Sequence, residues 1–300
     1  MKDFQTVTLA RNAMATRFEL MLMGPDAVRL RAAGEEALAE VDRLEARLSL
    51  YRPSSEIARV NAHAARQPVR VSPPVFRLLE RARQLHHESG GAFDIAIAPL
   101  VRCWGFMTGA VHVPDAAELE RIRGVSGMRH VLLDATALTV QFDQEGVMID
   151  LGAIGKGYAI DRAAEILREA GVTAALLHGG TSTVYGIGAP PGESAWKVAI
   201  EGSQDQSLTI GTALLRDSAL SVSAVWARAF EAGGKQYGHV IDPRTGQPVN
   251  NAVVAAIALP SATETDALST ALLVLGAEGR EAIEKLRPGM QTWLKLATNG

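Results

Sequence analysis

Apolar residues alternate with polar ones near the start of the chain: Val7 and Leu9, then Phe18, Leu20 and Leu22. That period of two predicts a pair of half-buried strands joined around Asn12-Ala13-Met14-Ala15-Thr16. The period then lengthens. Leu30, Ala33, Ala37, Val41, Leu44 and Leu48 recur every three or four residues, with Glu and Arg between them and Pro25-Asp26 ahead. This spacing predicts a long amphipathic helix. Residues 49–55 break the pattern and read as a loop, and a second helix is expected over 74–88, closed by Ser89-Gly90-Gly91.

The middle of the chain predicts a short polar helix over 115–123 and short strands over 130–134, 138–142 and 147–151. A helix follows over 158–170, with Gly171 suited to the left-handed position after its last turn. A strand over 174–177 leads into His178-Gly179-Gly180. Residues 184–257 are mostly strand-like, with loops at 189–192 and 243–246. Helices over 263–275 and near 278–286, then a strand near 292–296, close the chain. Helices and strands interleave without a strict βαβ rhythm, so the expected class is α+β, with mixed β-sheets flanked by helices. No repeat or linker divides residues 1–300, which are expected to form a single domain with room for two sub-lobes.

Composition narrows the class. A chain with 47% apolar and 21% charged residues has a globular, not a disordered, balance. A formal net charge of −3 argues against a nucleic-acid partner, which calls for a basic face. No apolar run approaches the ~20 residues that span a bilayer. The single cysteine, Cys103, excludes an internal disulfide framework. The first residues show neither an apolar leader core nor a lipobox-like cysteine, so the expected location is cytoplasmic, or periplasmic where a leader has been removed.

Three segments carry candidate chemistry. Ser261-Ala262-Thr263-Glu264 has the spacing of a capping box. Beyond it Asp266, Ser269 and Thr270 stand at i, i+3 and i+4 and share one helix face, while Leu268, Ala271, Leu272 and Leu275 anchor the other. One carboxylate with two hydroxyls suits Mg²⁺, and the same triplet also suits a plain helix start whose acid complements the dipole. The second segment, Asp150-Leu151-Gly152-Ala153-Ile154-Gly155-Lys156-Gly157-Tyr158, is a glycine-rich turn into a helix. Its N–H groups can face an anion and Lys156 can reach a phosphate, yet it matches neither the Walker nor the dinucleotide fingerprint. A purely structural turn fits equally well. The third, Gly238-His239-Val240-Ile241-Asp242-Pro243-Arg244-Thr245-Gly246, offers in His239 an imidazole able to move protons near neutral pH, although a histidine there is also often structural.

Taken in order with Gly91-Ala92-Phe93-Asp94, these segments make the chain resemble the FAD:protein FMN transferase family, the ApbE-like flavin transferases, over nearly its whole length. The resemblance implies the T-shaped α/β architecture of that family. It also implies an activity: transfer of the FMN half of FAD to a threonine hydroxyl of an acceptor flavoprotein, with release of AMP. By resemblance Mg²⁺ is held by Asp266, Thr270, Ser269 and the carbonyl of Ala153. FAD meets Met14, Tyr51, Ala92, Phe93, Asp94, Asp150, Lys156, His239, Val240 and Ile241, with Tyr51 and Phe93 beside a flat ring. Asp266 and His239 are the expected catalytic residues, with His239 as base. Two other readings of the same fold remain open, an FAD-delivery module and an Mg²⁺-dependent FAD pyrophosphatase giving FMN and AMP. The chain departs from the family pattern in having Met14-Ala15-Thr16 for Met-Gly-Thr, Thr181 after the glycine pair, and no Gly-Asp-Tyr after its serine in 221–226.

Overall fold

The computed structural model describes residues 4–205, 207–227 and 229–297. In chain order the first elements are β1 (Gln5–Ala13), β2 (Thr16–Gly24), α1 (Ala27–Leu48), α2 (Glu56–His63), β3 (Val69–Arg70), α3 (Pro73–Glu88), α4 (Ala98–Cys103) and α5 (Ala116–Gly124). Next come β4 (Val131–Asp134), β5 (Thr139–Phe142), α6 (Gly155–Glu169), β6 (Ala174–Gly179), β7 (Thr183–Ile187), β8 (Trp196–Glu201) and β9 (Thr209–Leu215). The last are β10 (Ser218–Ala224), β11 (Ala229–Ala232), β12 (Lys235–Gly238), β13 (Ala252–Leu259), α7 (Ala262–Glu284) and β14 (Gln291–Leu296).

Seven strands form the main sheet in the order β1-β2-β6-β7-β10-β13-β14. The class is α+β, as expected. The sheets are not mixed, however: every strand pairing among the described residues is antiparallel. Hairpins and short returns build such sheets, whereas parallel pairs need long crossovers. The side-chain period of two splits the sheet faces. Phe18, Leu20, Leu22, Ala255 and Ile257 enter the main core with α1 and α6, while Leu220, Ala256 and Ala258 meet Trp196, Ile200 and Leu215 of the β8–β9 ribbon.

The first hairpin turns on Met14 (φ 51°) and Ala15 (φ 57°), two left-handed residues whose twist matches that of the strands. Asp26 then caps α1, accepting hydrogen bonds from the N–H groups of Val28 and Arg29 at 3.0 and 3.1 Å. The stripe from Leu30 to Leu48 is buried, as its spacing requires.

Helix α7 differs from the amphipathic expectation. Asp266, Leu268, Ser269, Ala271 and Leu272 are all buried, so the helix has no solvent face over these turns. It is wedged between β10 and β13 on one side and α6 and α3 on the other. Its two expected helices are both present within α7, run together across Gly276, whose backbone (φ 64°, ψ −150°) is not helical. Helix α6 begins three residues before its expected start and ends beside Gly171 at φ 81°. Residues 147–151 join no ladder. Instead the Asn61 side chain takes the place of a partner strand, donating to the Ile149 carbonyl at 2.9 Å and accepting from its N–H at 2.8 Å. Helices α2 and α4 escaped the periodicity because eight and six residues are too few to display it. No helix among the described residues is long and apolar enough to cross a membrane.

Candidate active site

Asp266 lies one turn inside α7 and points at α6, not at solvent. One carboxylate oxygen accepts the Gly157 N–H at 3.0 Å, and the other lies 3.5 Å from the Lys156 ammonium. This contact explains Gly157: a Cβ there would fall 2.1 Å from the Ala262 carbonyl oxygen and 2.8 Å from Asp266 Cβ. Lys156 also donates to the Gly152 carbonyl at 2.8 Å, so its ammonium is held between a carbonyl and a carboxylate. On the next turn Ser269 and Thr270 donate to the Asp266 carbonyl at 3.1 and 3.3 Å. Ser223 of β10 stands 2.9 Å from the Ser269 hydroxyl and 3.1 Å from that of Thr270.

From this centre the other candidates follow through a series of contacts. Gly152 donates its N–H to the Asp150 carboxylate at 2.8 Å, and the Asp150 N–H reaches the Ile95 carbonyl at 2.7 Å. Asp94 caps the 3₁₀ turn at Ile95–Ile97, accepting from Ala96 N–H at 2.7 Å and from Met128 N–H at 3.0 Å. In the other direction, Ser223 leads to Val225, whose carbonyl lies 2.8 Å from where a Cβ on Gly238 would stand. His239 follows directly. It is half-buried, with Phe106 edge-on at 6.5 Å between ring centres, and Phe106, Phe230, Tyr237 and Trp104 continue the aromatic contacts. Trp104 anchors the 243–246 turn by donating to the Gly246 carbonyl at 2.9 Å. The hairpin tip bearing Met14 lies at the same end of the sheet, since Phe18 pairs with Gly179 and Ser221 with Thr183.

Several expectations need correction. His239 to Ile241 do not form a strand: β12 stops at Gly238, and Ile241 makes an isolated bridge to Pro248. Phe93 is 1% exposed within the main core, so its ring offers no face for a flat ligand to stack on. Ala92 and Ile241 are likewise buried, while Val240 is half-buried. Tyr51, by contrast, is 66% exposed. The glycine-rich turn is not an open anion cradle, because the N–H groups of Gly152, Gly155 and Gly157 go to Asp150, Leu151 and Asp266. The capping box is half formed. Ser261 accepts from Glu264 N–H at 3.3 Å, but Glu264 turns to Arg81 and to Arg287.

Sequence reasoning missed Ser223 as a neighbour of the hydroxyl pair, and it missed Asp161. The Asp161 carboxylate accepts from the N–H groups of Ala262 and Thr263, both at 2.8 Å, and from the hydroxyls of Ser261 and Thr263 at 2.9 and 2.6 Å. Its signal was its place one turn after Gly157 on α6, facing the same neighbour helix.

The fold and the polar seam between α6, α7 and β10 define an α+β protein with one buried carboxylate beside a lysine and, on the next helical turn, a pair of hydroxyls set against a serine of the sheet. Residues 14–294 match the ApbE family, and the chain belongs to it. It is 32% identical over 268 residues to the FAD:protein FMN transferase of Klebsiella pneumoniae, covering 87% of this chain and 83% of that protein. The Treponema pallidum protein of the same name is 34% identical over 282 residues, 88% of this chain and 77% of its own. Among solved structures, the ApbE protein of Thermotoga maritima superposes with a TM-score of 0.89 at 28% identity, covering 97% of this chain and 94% of that one. The flavin transferase ApbE of Vibrio cholerae gives 0.85 at 26% identity, over 99% and 95%.

Proposed function

We propose that this protein transfers the FMN half of FAD to a threonine hydroxyl of an acceptor flavoprotein, releasing AMP, with a divalent cation held at Asp266. Membership of a family whose named relatives are FAD:protein FMN transferases supports the reaction class. The observation that carries the reading is the set of contacts that joins Asp150, through Gly152 and Lys156, to Asp266, and that seats Ser269 and Thr270 of the next helical turn against Ser223.

The donors fit a hard cation. Among the described residues no three His, Cys, Asp or Glu side chains converge as a metal site. A cation here would draw on the Asp266 carboxylate, the hydroxyls of Ser269 and Thr270, and the Ala153 carbonyl. Both hydroxyls send their protons to the Asp266 carbonyl, which leaves oxygen lone pairs for another partner. Such a sparse all-oxygen set suits Mg²⁺, which keeps waters and substrate phosphates among its ligands. When bound, the ion would neutralise charge on the pyrophosphate.

The remaining chemistry falls to the chain itself. Lys156 would pair with a phosphate, and the exposed Tyr51 with the half-buried Met14 would lie against the flat parts of FAD. His239 would accept the threonine proton as the hydroxyl oxygen bonds to the FMN phosphorus and the bond to the AMP oxygen breaks. Phe106, edge-on to His239, would help to keep water from the reacting oxygen, which favours transfer over hydrolysis. Incubation with FAD, Mg²⁺ and a threonine-bearing flavoprotein domain tests the proposal. Covalent flavin on the domain is expected. Free FMN with an unmodified domain would make the protein a pyrophosphatase, and unchanged FAD a carrier.

A further inference from the structure

The charge on Asp266 is already balanced. Lys156 Nζ rests 3.5 Å from the carboxylate and 2.8 Å from the Gly152 carbonyl. An ammonium held by one carboxylate and one backbone carbonyl takes the kind of oxygen environment that a bound metal ion would seek. The two partners differ in freedom: the Asp266 side chain is 6% exposed, while that of Lys156 is 23% exposed on a flexible four-carbon stem. Asp266 is further pinned by the Gly157 N–H, so it cannot follow the lysine outward.

We propose that Lys156 is a tethered counter-ion, which neutralises Asp266 until a divalent cation displaces it and is then free to pair with the anionic nucleotide. The inference rests on the cation reading of Asp266 given above. Two positive charges cannot share one carboxylate in a buried setting without strong repulsion, so the ion must expel the ammonium. Expulsion opposes metal binding in the absence of nucleotide. Once the pyrophosphate is present, the displaced ammonium gains a new partner and the opposition disappears. Metal and FAD therefore bind with positive coupling, and by linkage each strengthens the other equally.

The test is Mn²⁺ titration followed by electron paramagnetic resonance of the free ion, on the full chain without and with FAD. Without FAD, Lys156→Met is expected to bind Mn²⁺ at least tenfold more tightly than wild type, whereas Lys156→Arg, which keeps the charge, stays near wild type. Adding FAD should tighten Mn²⁺ binding by a smaller factor in Lys156→Met than in wild type. Equal affinities of wild type and Lys156→Met without FAD overturn the proposal, as does the same tightening in Lys156→Arg. An undiminished FAD effect in Lys156→Met overturns the hand-over to nucleotide. Asp266→Asn, which retains an acceptor for Gly157, separates the two levels. If it binds Mn²⁺ as well as wild type, or if neither wild type nor Lys156→Met binds, the cation reading of the site fails together with the counter-ion.

Discussion

Two acidic side chains meet α7 within its first turns, and they have opposite surroundings. Asp161 reaches the helix start from α6 and accepts four hydrogen bonds, two from backbone N–H groups and two from hydroxyls. Asp266, one turn further, is more buried yet has one N–H and a lysine at 3.5 Å. The first carboxylate is used up in satisfying a helix terminus whose N–H groups have no partner within the helix. The second is neutralised more than it is bonded. Burial of a sparsely bonded carboxylate is costly unless a cation attends it. The seam between α6 and α7 thus contains a structural acid and, on the proposed function, a chemical one, and their hydrogen-bond partners tell them apart.

The largest expected effect falls on rate. His239→Asn should lower flavin transfer by ~100–10,000-fold, the range associated with proton transfer, and change FAD affinity little. Normal turnover with weak FAD binding would reassign His239 to binding. Next comes the structural acid. Asp161→Ala strands two N–H groups at the entrance of α7 and should cost about 3 kcal/mol, lowering the melting temperature by roughly 6 °C. A melting curve unchanged from wild type would erase the contrast with Asp266.

A smaller effect comes from two histidines with opposite tendencies. Burial opposes charge on His86, but the hydrogen bond to Asp94 and its charge outweigh this and raise the pKa. Its contribution to stability is full below the unfolded value near ~6.5 and is lost as pH rises through the folded value. Burial lowers the pKa of His178, partly offset by Glu19, so its contribution is present above that unfolded value and lost as pH falls through the folded one. The destabilisation of His86→Gln should therefore be greatest below pH ~6 and shrink toward pH ~8. A deficit independent of pH would dismiss the Asp94 pairing. The smallest effect is at the hairpin. Ala15 occupies a left-handed position, and Ala15→Gly should stabilise by about 0.5–1 kcal/mol, measurable by urea unfolding.

Local rules made much of this legible. The spacing of Leu30 to Leu48 and the cap at Asp26 are read directly from neighbours in sequence, and the structure repeats them. The spacing of Asp266, Ser269 and Thr270 was equally local, but their partners were not: the carboxylate meets α6 and the two hydroxyls meet Ser223 of β10. What escaped depends on partners far along the chain. Asn61 replaces a strand for Ile149 across 88 residues, and Lys156 finds Asp266 across α6 and α7. Phe93 reads as a ligand platform because it lies beside a loop in a stretch shared with the family, yet the Ser89 and Asp94 hydrogen bonds hold that loop and its ring is buried. Chemistry at the edge of a motif is visible in one dimension. The direction in which a side chain points is not.

The most direct test of the account is intact-mass analysis of an acceptor flavoprotein domain treated with FAD and Mg²⁺ by wild type and by Asp266→Asn, with the melting temperature of each enzyme measured alongside. Wild type should add one FMN to a threonine of the domain. Asp266→Asn, still folded because its amide oxygen can accept the Gly157 N–H, should add none within the same time. Flavinylation by folded Asp266→Asn at the wild-type rate would contradict the assignment of Asp266 as the chemical carboxylate.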